Sequence, residues 1–251
     1  MAGIALTGSA SGIGAATRRR LEAGGRRVIG VDLRDAEVMA DLGTPAGRDT
    51  AIAGVLERCG GSLDGYAGFA GVPATVEPPA QLVHVSYFGS TAMLEGLRGA
   101  LTRGAPTAAV AVSSCAATVA PVDDALVAAC LEGDEARAAA QVVAGGVAYA
   151  SVKLALARWV RRAAPAWAAD GVRLNALAPG NTVTPLTETT LADPEIGPLM
   201  RAIPMPVGRW AEPEEIAAAA QWMLSEHSSF MVGSVLFVDG GTDALVRPDT
   251  F

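Results

Sequence analysis

Thr7-Gly8-Ser9-Ala10-Ser11-Gly12-Ile13-Gly14 is the stretch whose reading decides the fold. It follows a short apolar strand pattern over residues 3–7 and opens a helical pattern running to about Ala23. Glycines here allow a tight turn and let a pyrophosphate approach the backbone. The free N–H groups and positive end of the helix then meet the negative charge. A glycine-rich turn alone is a weak signal. Placed between a strand and a helix at the head of the chain, it points to dinucleotide binding.

Val28-Ile29-Gly30-Val31-Asp32 reads as the second strand, and Asp32 stands eighteen residues past Gly14. In a dinucleotide fold a carboxylate near this point binds the adenosine ribose diol of NAD and repels the extra phosphate of NADP. Ser11 is not basic, which also favours NAD, whereas Arg34 is a counter-indication. The bland reading of Asp32 is a solvated acid at a strand end. Apolar runs continue at Leu63–Phe69, Ala108–Val112, Val172–Ala178 and Val235–Val238. Helical patterns separate them at 47–59, 81–102, 149–169 and 213–225. Alternation of this kind predicts a single α/β domain with a doubly wound parallel sheet. Ligands bind such sheets at the carboxyl ends of the strands, which places Thr7/Gly8, Asp32, Gly71, Ser114 and Pro179/Gly180 on one rim.

That rim faces Tyr149-Ala150-Ser151-Val152-Lys153. Spacing of i,i+4 puts the phenol and the ammonium on one helix face. Lys153 is the only lysine among nineteen basic residues. A nearby cation favours the phenolate, so the pair is expected to bring Tyr149 down from its usual pKa of about 10 toward neutrality. A phenol poised in this way can protonate a carbonyl or deprotonate an alcohol. By itself Tyr-x-x-x-Lys occurs by chance on many helices, and it is the rest of the chain that gives it weight.

The composition narrows the alternatives. The chain has 251 residues, 51% hydrophobic and 18% charged, with a net charge of −7. That is a globular composition, long enough for a sizeable core and without the basic excess of a nucleic-acid partner. Cys59, Cys115 and Cys130 form no C-x-x-C pair, and His84 and His227 have no ligand spacing. No metal site is expected, and a reducing, cytoplasmic setting is the simplest reading. The start, from Met1 to Thr7, shows no signal peptide, and no apolar run is long enough for a membrane span.

Taken together, these motifs resemble the short-chain dehydrogenase/reductase family over nearly the whole chain. The resemblance lies in Thr7-Gly8-x-x-x-Gly12-Ile13-Gly14, Asp41-Leu42, Ser114, Tyr149-x-x-x-Lys153, Asn175 with Pro179-Gly180, Thr184, and Asp239-Gly240-Gly241. Within the family the chain is similar to the bacterial 3α-hydroxysteroid dehydrogenase/carbonyl reductase group, in residues 31–38, in Tyr87-Phe88-Gly89, and in the tail from Asp239 to Phe251. The resemblance implies a Rossmann-type domain that uses NAD(H) to interconvert a secondary alcohol and a ketone. Ser114, Tyr149, Lys153 and Ser86 are the implied catalytic residues. Implied cofactor contacts are Gly8, Ser11, Gly12, Ile13, Gly14, Asp32, Leu33, Asp41, Leu42, Ala70, Gly71, Tyr149, Lys153, Pro179, Gly180, Thr182 and Thr184. A homodimer or homotetramer is implied as the assembly.

Two departures stand out. Phe69-Ala70-Gly71 replaces the family's Asn-Ala-Gly, removing one polar contact. Ser86, in Val85-Ser86-Tyr87-Phe88-Gly89, replaces the Asn that would hold a water next to Lys153. A hydroxyl both donates and accepts, so it retains the capacity to hold that water. Ser114 and Tyr149 are 35 positions apart, against about a dozen in the family. The extra stretch, 119–146, carries Asp123, Asp124, Glu132, Asp134 and Glu135. It is expected to add one or two helices beside the site and to alter the usual dimer. Residues 185–206 read as a loop or lid, apolar enough for a steroid or another bulky ketone. The alternatives are a ketoreductase of secondary metabolism or of acyl substrates, and a cofactor-binding protein with weak or no turnover.

Overall fold

The computed structural model describes residues 3–143 and 145–250. Met1 and Ala2, Ala144 of the insertion, and the Phe251 that closes the tail motif lie outside the described residues.

Apolar runs become strands because both of their faces are covered. The strands are β1 (Ile4–Thr7), β2 (Val28–Asp32), β3 (Val38–Met39), β4 (Gly65–Gly68), β5 (Thr107–Val112), β6 (Val172–Pro179) and β7 (Val235–Val238). All their pairings are parallel, in the order β3-β2-β1-β4-β5-β6-β7. The order reverses between β1 and β4, so the crevice of a doubly wound sheet opens there.

The helices are α1 (Gly12–Ala23), α2 (Pro45–Cys59), α3 (Ala80–Val83), α4 (Ser90–Arg103), α5 (Ala116–Val119), α6 (Asp124–Leu131), α7 (Glu135–Gln141), α8 (Gly146–Ala169), α9 (Pro185–Ala192), α10 (Ile196–Ala202), α11 (Pro213–Leu224) and α12 (Thr242–Val246). Alternate strand residues feed one core cluster on one face of the sheet and two on the other. Ala5, Ile29 and Tyr66 pack with Val55 of α2, Leu97 of α4 and Val160 of α8. Leu6 packs with Leu21 of α1, and Val110 and Leu177 pack with Ile216 and Met223 of α11. This period of two, buried on both faces, is what a sheet with helices on either side requires.

Three sequence expectations change. The helix read over 81–102 is interrupted by a π-helical turn, His84–Gly89, between α3 and α4. There the Ser90 hydroxyl donates to Ser86 O at 3.1 Å and the Thr91 hydroxyl to Tyr87 O at 3.0 Å. Such hydroxyl bonds to the carbonyls of the preceding turn compete with the regular ladder. Residues 185–206, read as a loop, hold two helices. Thr184 caps α9, its hydroxyl accepting from Thr187 N at 3.2 Å, and Pro185 occupies the first turn, where its missing N–H costs nothing. Finally, α8 begins at Gly146, three residues before Tyr149, so Tyr149 and Lys153 lie within the helix rather than at its edge.

The extra stretch forms α6 and α7. Asp123 caps α6 by accepting from Ala125 N and Leu126 N, and Asp134 caps α7 by accepting from Arg137 N.

Candidate active site

Three short backbone features build one end of the site. Gly8 has φ +69° and Gly12 φ +52°, both in the left-handed region that glycine occupies without strain. A Cβ on Gly14 would lie 1.9 Å from Gly8 O, so the helix can close onto the turn only with glycine there. Ser11 precedes α1 without capping it through its side chain, and Ser11 to Gly14, the start of the helix, line the cavity.

Asp32 ends β2 beside this turn. Its Oδ2 accepts from Ala10 N at 2.9 Å and its Oδ1 from Leu33 N at 2.7 Å. Each oxygen keeps a second lone pair, so the fixed carboxylate is equipped to receive a diol. Leu33 is mostly exposed at the rim, and Arg34 is exposed. Asp41 Oδ1 accepts from Gly43 N at 2.8 Å, shaping the turn that presents buried Leu42.

At the other end, β5 runs into Ser113 and Ser114. Burial is the dominant influence here: the phenol of half-buried Tyr149 is pushed up to about 12, and the neighbouring Ser114 hydroxyl only partly opposes this. The expected depression by Lys153 is not among the causes. Lys153 Nζ stands 5.7 Å from the Tyr149 ring centroid and donates to Val112 O at 2.8 Å. Burial brings that ammonium down to about 8, so it still carries its charge at neutral pH. At neutral pH Tyr149 therefore holds its proton, the form a general acid needs.

Ser86 is fully buried in the π-turn, and its Oγ accepts from Val72 N at 3.4 Å. A Cβ placed on Gly71 would lie 3.5 Å from Ser86 Oγ and 3.8 Å from Lys153 Nζ. Gly71 therefore keeps clear the space that both groups border. Phe69 lines the cavity as an apolar residue and also packs against both clusters on the α1/α11 side.

One cavity of about 720 Å³ joins the two ends. It is lined by the glycine turn, Asp32, Leu33, Asp41, Leu42, Ala70, Gly71, Ser114, Tyr149, Lys153, Pro179, Gly180, Thr182 and Thr184. Ser86 borders this space without lining it. Thr182 Oγ1 donates to Gly180 O, and Thr184 and Thr187 hydroxyls are hydrogen-bonded to each other. Asn175 lies inside β6, bonded to Met231 O and Ser234 N, and braces the sheet rather than the cavity.

The lid contributes Leu186, Ile196, Leu199, Met200 and Ile203 to the cavity wall, while Leu191 and Met205 lie off it. Several wall residues were missed in the sequence. Asn181 donates to Met200 O at 3.1 Å and so ties the lid to the end of β6. Val119, Pro121 and Gly146 bring both ends of the insertion to the cavity. Asn181, directly after Pro179-Gly180, carried a positional signal; the others carried none. Among the described residues no cluster of His, Cys, Asp and Glu is arranged to hold a metal, and no helix is long and apolar enough to cross a membrane.

Residues 135–243 match a family model described as Enoyl-(Acyl carrier protein) reductase. Over 254 aligned residues the chain is 43% identical to a 3-alpha-hydroxysteroid dehydrogenase/carbonyl reductase of Comamonas testosteroni, covering 99% of each chain. It is 33% identical to a cis-4-hydroxycyclohexanecarboxylate dehydrogenase of Sinomonas cyclohexanicum, covering 96% of each. The crystal structure of the 3-alpha-hydroxysteroid dehydrogenase of Pseudomonas sp. B-0831, complexed with NADH, superposes with a TM-score of 0.96 at 50% identity, covering 99% of each chain.

Proposed function

The chain belongs to the short-chain dehydrogenase/reductase family, and from that premise we propose that it is an NAD(H)-dependent oxidoreductase interconverting a secondary alcohol and a ketone. The substrate class is a 3α-hydroxysteroid or another bulky apolar carbonyl compound. One observation carries the reading: Tyr149 and Ser114 line one end of a cavity whose other end is the glycine turn and Asp32.

The residues present fit the dinucleotide. Gly8, Gly12 and Gly14 provide the close backbone approach, and Asp32 offers two oriented acceptors. When bound, the nicotinamide supplies the hydride chemistry. The chain's own groups do the rest. Ser114 holds the substrate oxygen, and Tyr149 delivers a proton to it in reduction or removes one in oxidation. Lys153 anchors the ribose and gives the phenolate a counter-charge, while Thr182 and Thr184 orient the amide end. Ser86 holds a water beside Lys153. Because burial holds Tyr149 near 12, reduction has its acid ready at neutral pH, and oxidation is helped by alkali.

The lid helices and the insertion supply an apolar wall suited to a ring system. We also propose a cytoplasmic homo-oligomer, dimer or tetramer. Half-exposed edge strand β7 and exposed Trp222 and Phe230 lie available for a second copy, and the α6–α7 insertion changes the face beside α8 from that of the usual family dimer. Light scattering gives the mass.

The test is consumption of NADH and NADPH with a 3-ketosteroid, an aromatic ketone and an acyl thioester. Turnover of the steroid with NADH supports the reading. Turnover of the thioester alone would move the protein to the ketoreductases of acyl substrates. NADH binding without turnover of any ketone would mark a binding protein.

A further inference from the structure

Arg48 of α2 is only 7% exposed, yet it carries a full charge away from the catalytic residues. Its Nε donates to Leu42 O at 2.8 Å and its Nη2 to His84 O at 2.9 Å. Nη1 and Nη2 also grip the two carboxylate oxygens of Glu135 at 2.8 and 2.6 Å. Glu135 is the first residue of α7, inside the insertion. His84 Nδ1 lies 2.6 Å from the same Glu135 Oε1. A buried guanidinium needs this kind of paired, bidentate partner, and removing one member of such a pair is strongly destabilising. The Arg48 bonds, aided by His84, hold the Glu135 carboxyl below the usual carboxylate range against the opposing effect of burial.

The two carbonyls bonded to Arg48 belong to segments that shape the cavity. Leu42 is a wall of the cavity at its nucleotide end. His84 opens the π-turn that carries Ser86. The two elements are packed together: a Cβ on Gly89 would lie 3.0 Å from both Leu42 Cβ and Leu42 O. One guanidinium therefore clamps two segments that touch each other, and the insertion supplies its counter-charge. Eighty-seven positions separate the pair in sequence.

We propose that Glu135 is a positioning residue for the nucleotide end of the cavity: through Arg48 it fixes Leu42 and the His84–Gly89 turn, so the insertion sets cofactor affinity as well as flanking the substrate. The cofactor part rests on the reading of the cavity as an NAD(H) site. The clamp itself does not.

Glu135→Gln keeps the side chain's size and removes its charge. Two measurements on the full chain test it. Hydrogen exchange should quicken by about tenfold at the amides of 41–44 and 84–89. The NADH dissociation constant should rise about tenfold, equivalent to ~1.4 kcal/mol, while the ketone KM stays within twofold. Glu135→Asp, which keeps the charge on a shorter arm, should recover part of the affinity. Asp170→Asn breaks a different pair, Arg98–Asp170, and should leave NADH affinity unchanged. If Glu135→Gln does not fold, Glu135→Asp and His84→Gln are read in the same way. Unchanged exchange in both segments overturns the clamp. An NADH constant within twofold of wild type, or an equal loss of NADH and ketone affinity, overturns the role in cofactor binding. A wild-type chain that binds no NADH sinks the cofactor reading, and the exchange result still decides the clamp.

Discussion

Lys153→Met should make this protein more stable at neutral pH while abolishing turnover. In the unfolded chain the ammonium titrates at its ordinary value of 10.5; burial in the folded protein brings it to about 8. Below pH 8 both states are protonated and the whole penalty of the buried charge is present. Between pH 8 and 10.5 the unfolded state holds more protons, so stability rises with pH. The shift corresponds to roughly 3 kcal/mol of destabilisation at pH 7. Methionine fills a similar volume without charge, at a cost of about 1 kcal/mol for the lost bond to Val112 O. The variant should therefore gain roughly 2 kcal/mol at pH 7 and be nearly equal to wild type at pH 10, by the same linkage. Urea unfolding of both proteins at the two pH values, at one protein concentration, measures the difference, and tyrosine titrations common to both cancel. A variant less stable at pH 7, or a difference that does not change with pH, would refute the reasoning.

Tyr149→Phe should lower kcat by about 10²–10⁴, the usual contribution of a positioned acid, and leave the NADH dissociation constant within a few-fold when followed by fluorescence. Asp32→Asn, which removes the charge but keeps a hydrogen-bonding side chain, should narrow the preference for NADH over NADPH by about tenfold in kcat/KM. An unchanged ratio would show that Asp32 does not discriminate. Ser86→Ala should reduce kcat several-fold with little change in ketone KM; an unchanged kcat would remove Ser86 from the proton path.

The outline of the fold is legible in the sequence because both of its signals are local. Each apolar run buried on both faces is a strand, and Thr7–Gly14 has to turn tightly wherever it lies. The π-turn is not legible: its i+5 bonds leave the apolar positions of 81–102 looking helical. The lid helices have a readable start, Thr184 as cap and Pro185 in the first turn, but the density of Thr and Pro around it reads as loop. The residues that meet in the cavity follow from the strand ends, which is why Asp32, Ser114 and Gly180 fall on one rim by sequence alone. The Arg48–Glu135 clamp leaves no trace in sequence, since neither residue has a local partner that marks it. The pKa of Tyr149 depends on how much water reaches it, and spacing along one helix carries only the sign of its neighbour's charge.

Burial also accounts for the one lysine in the composition. Eighteen of nineteen basic residues are arginine, and the exception is the one cation enclosed at the Tyr149 end of the cavity among the described residues. A guanidinium with a pKa above about 12 stays charged however deeply it is buried. An ammonium can release its proton, so the cost of burying it is limited by the free energy of deprotonation. Lys153→Arg should then be less stable than wild type at pH 7, having a bulkier, permanently charged group where Val112 O is the acceptor in reach. The gap should widen by about 2.5 kcal/mol between pH 7 and pH 10, because only the lysine protein sheds its charge over that interval. Urea midpoints at the two pH values measure it. A constant gap would mean that Lys153 does not titrate in the folded protein, and the case for lysine at this position would have to rest on shape alone.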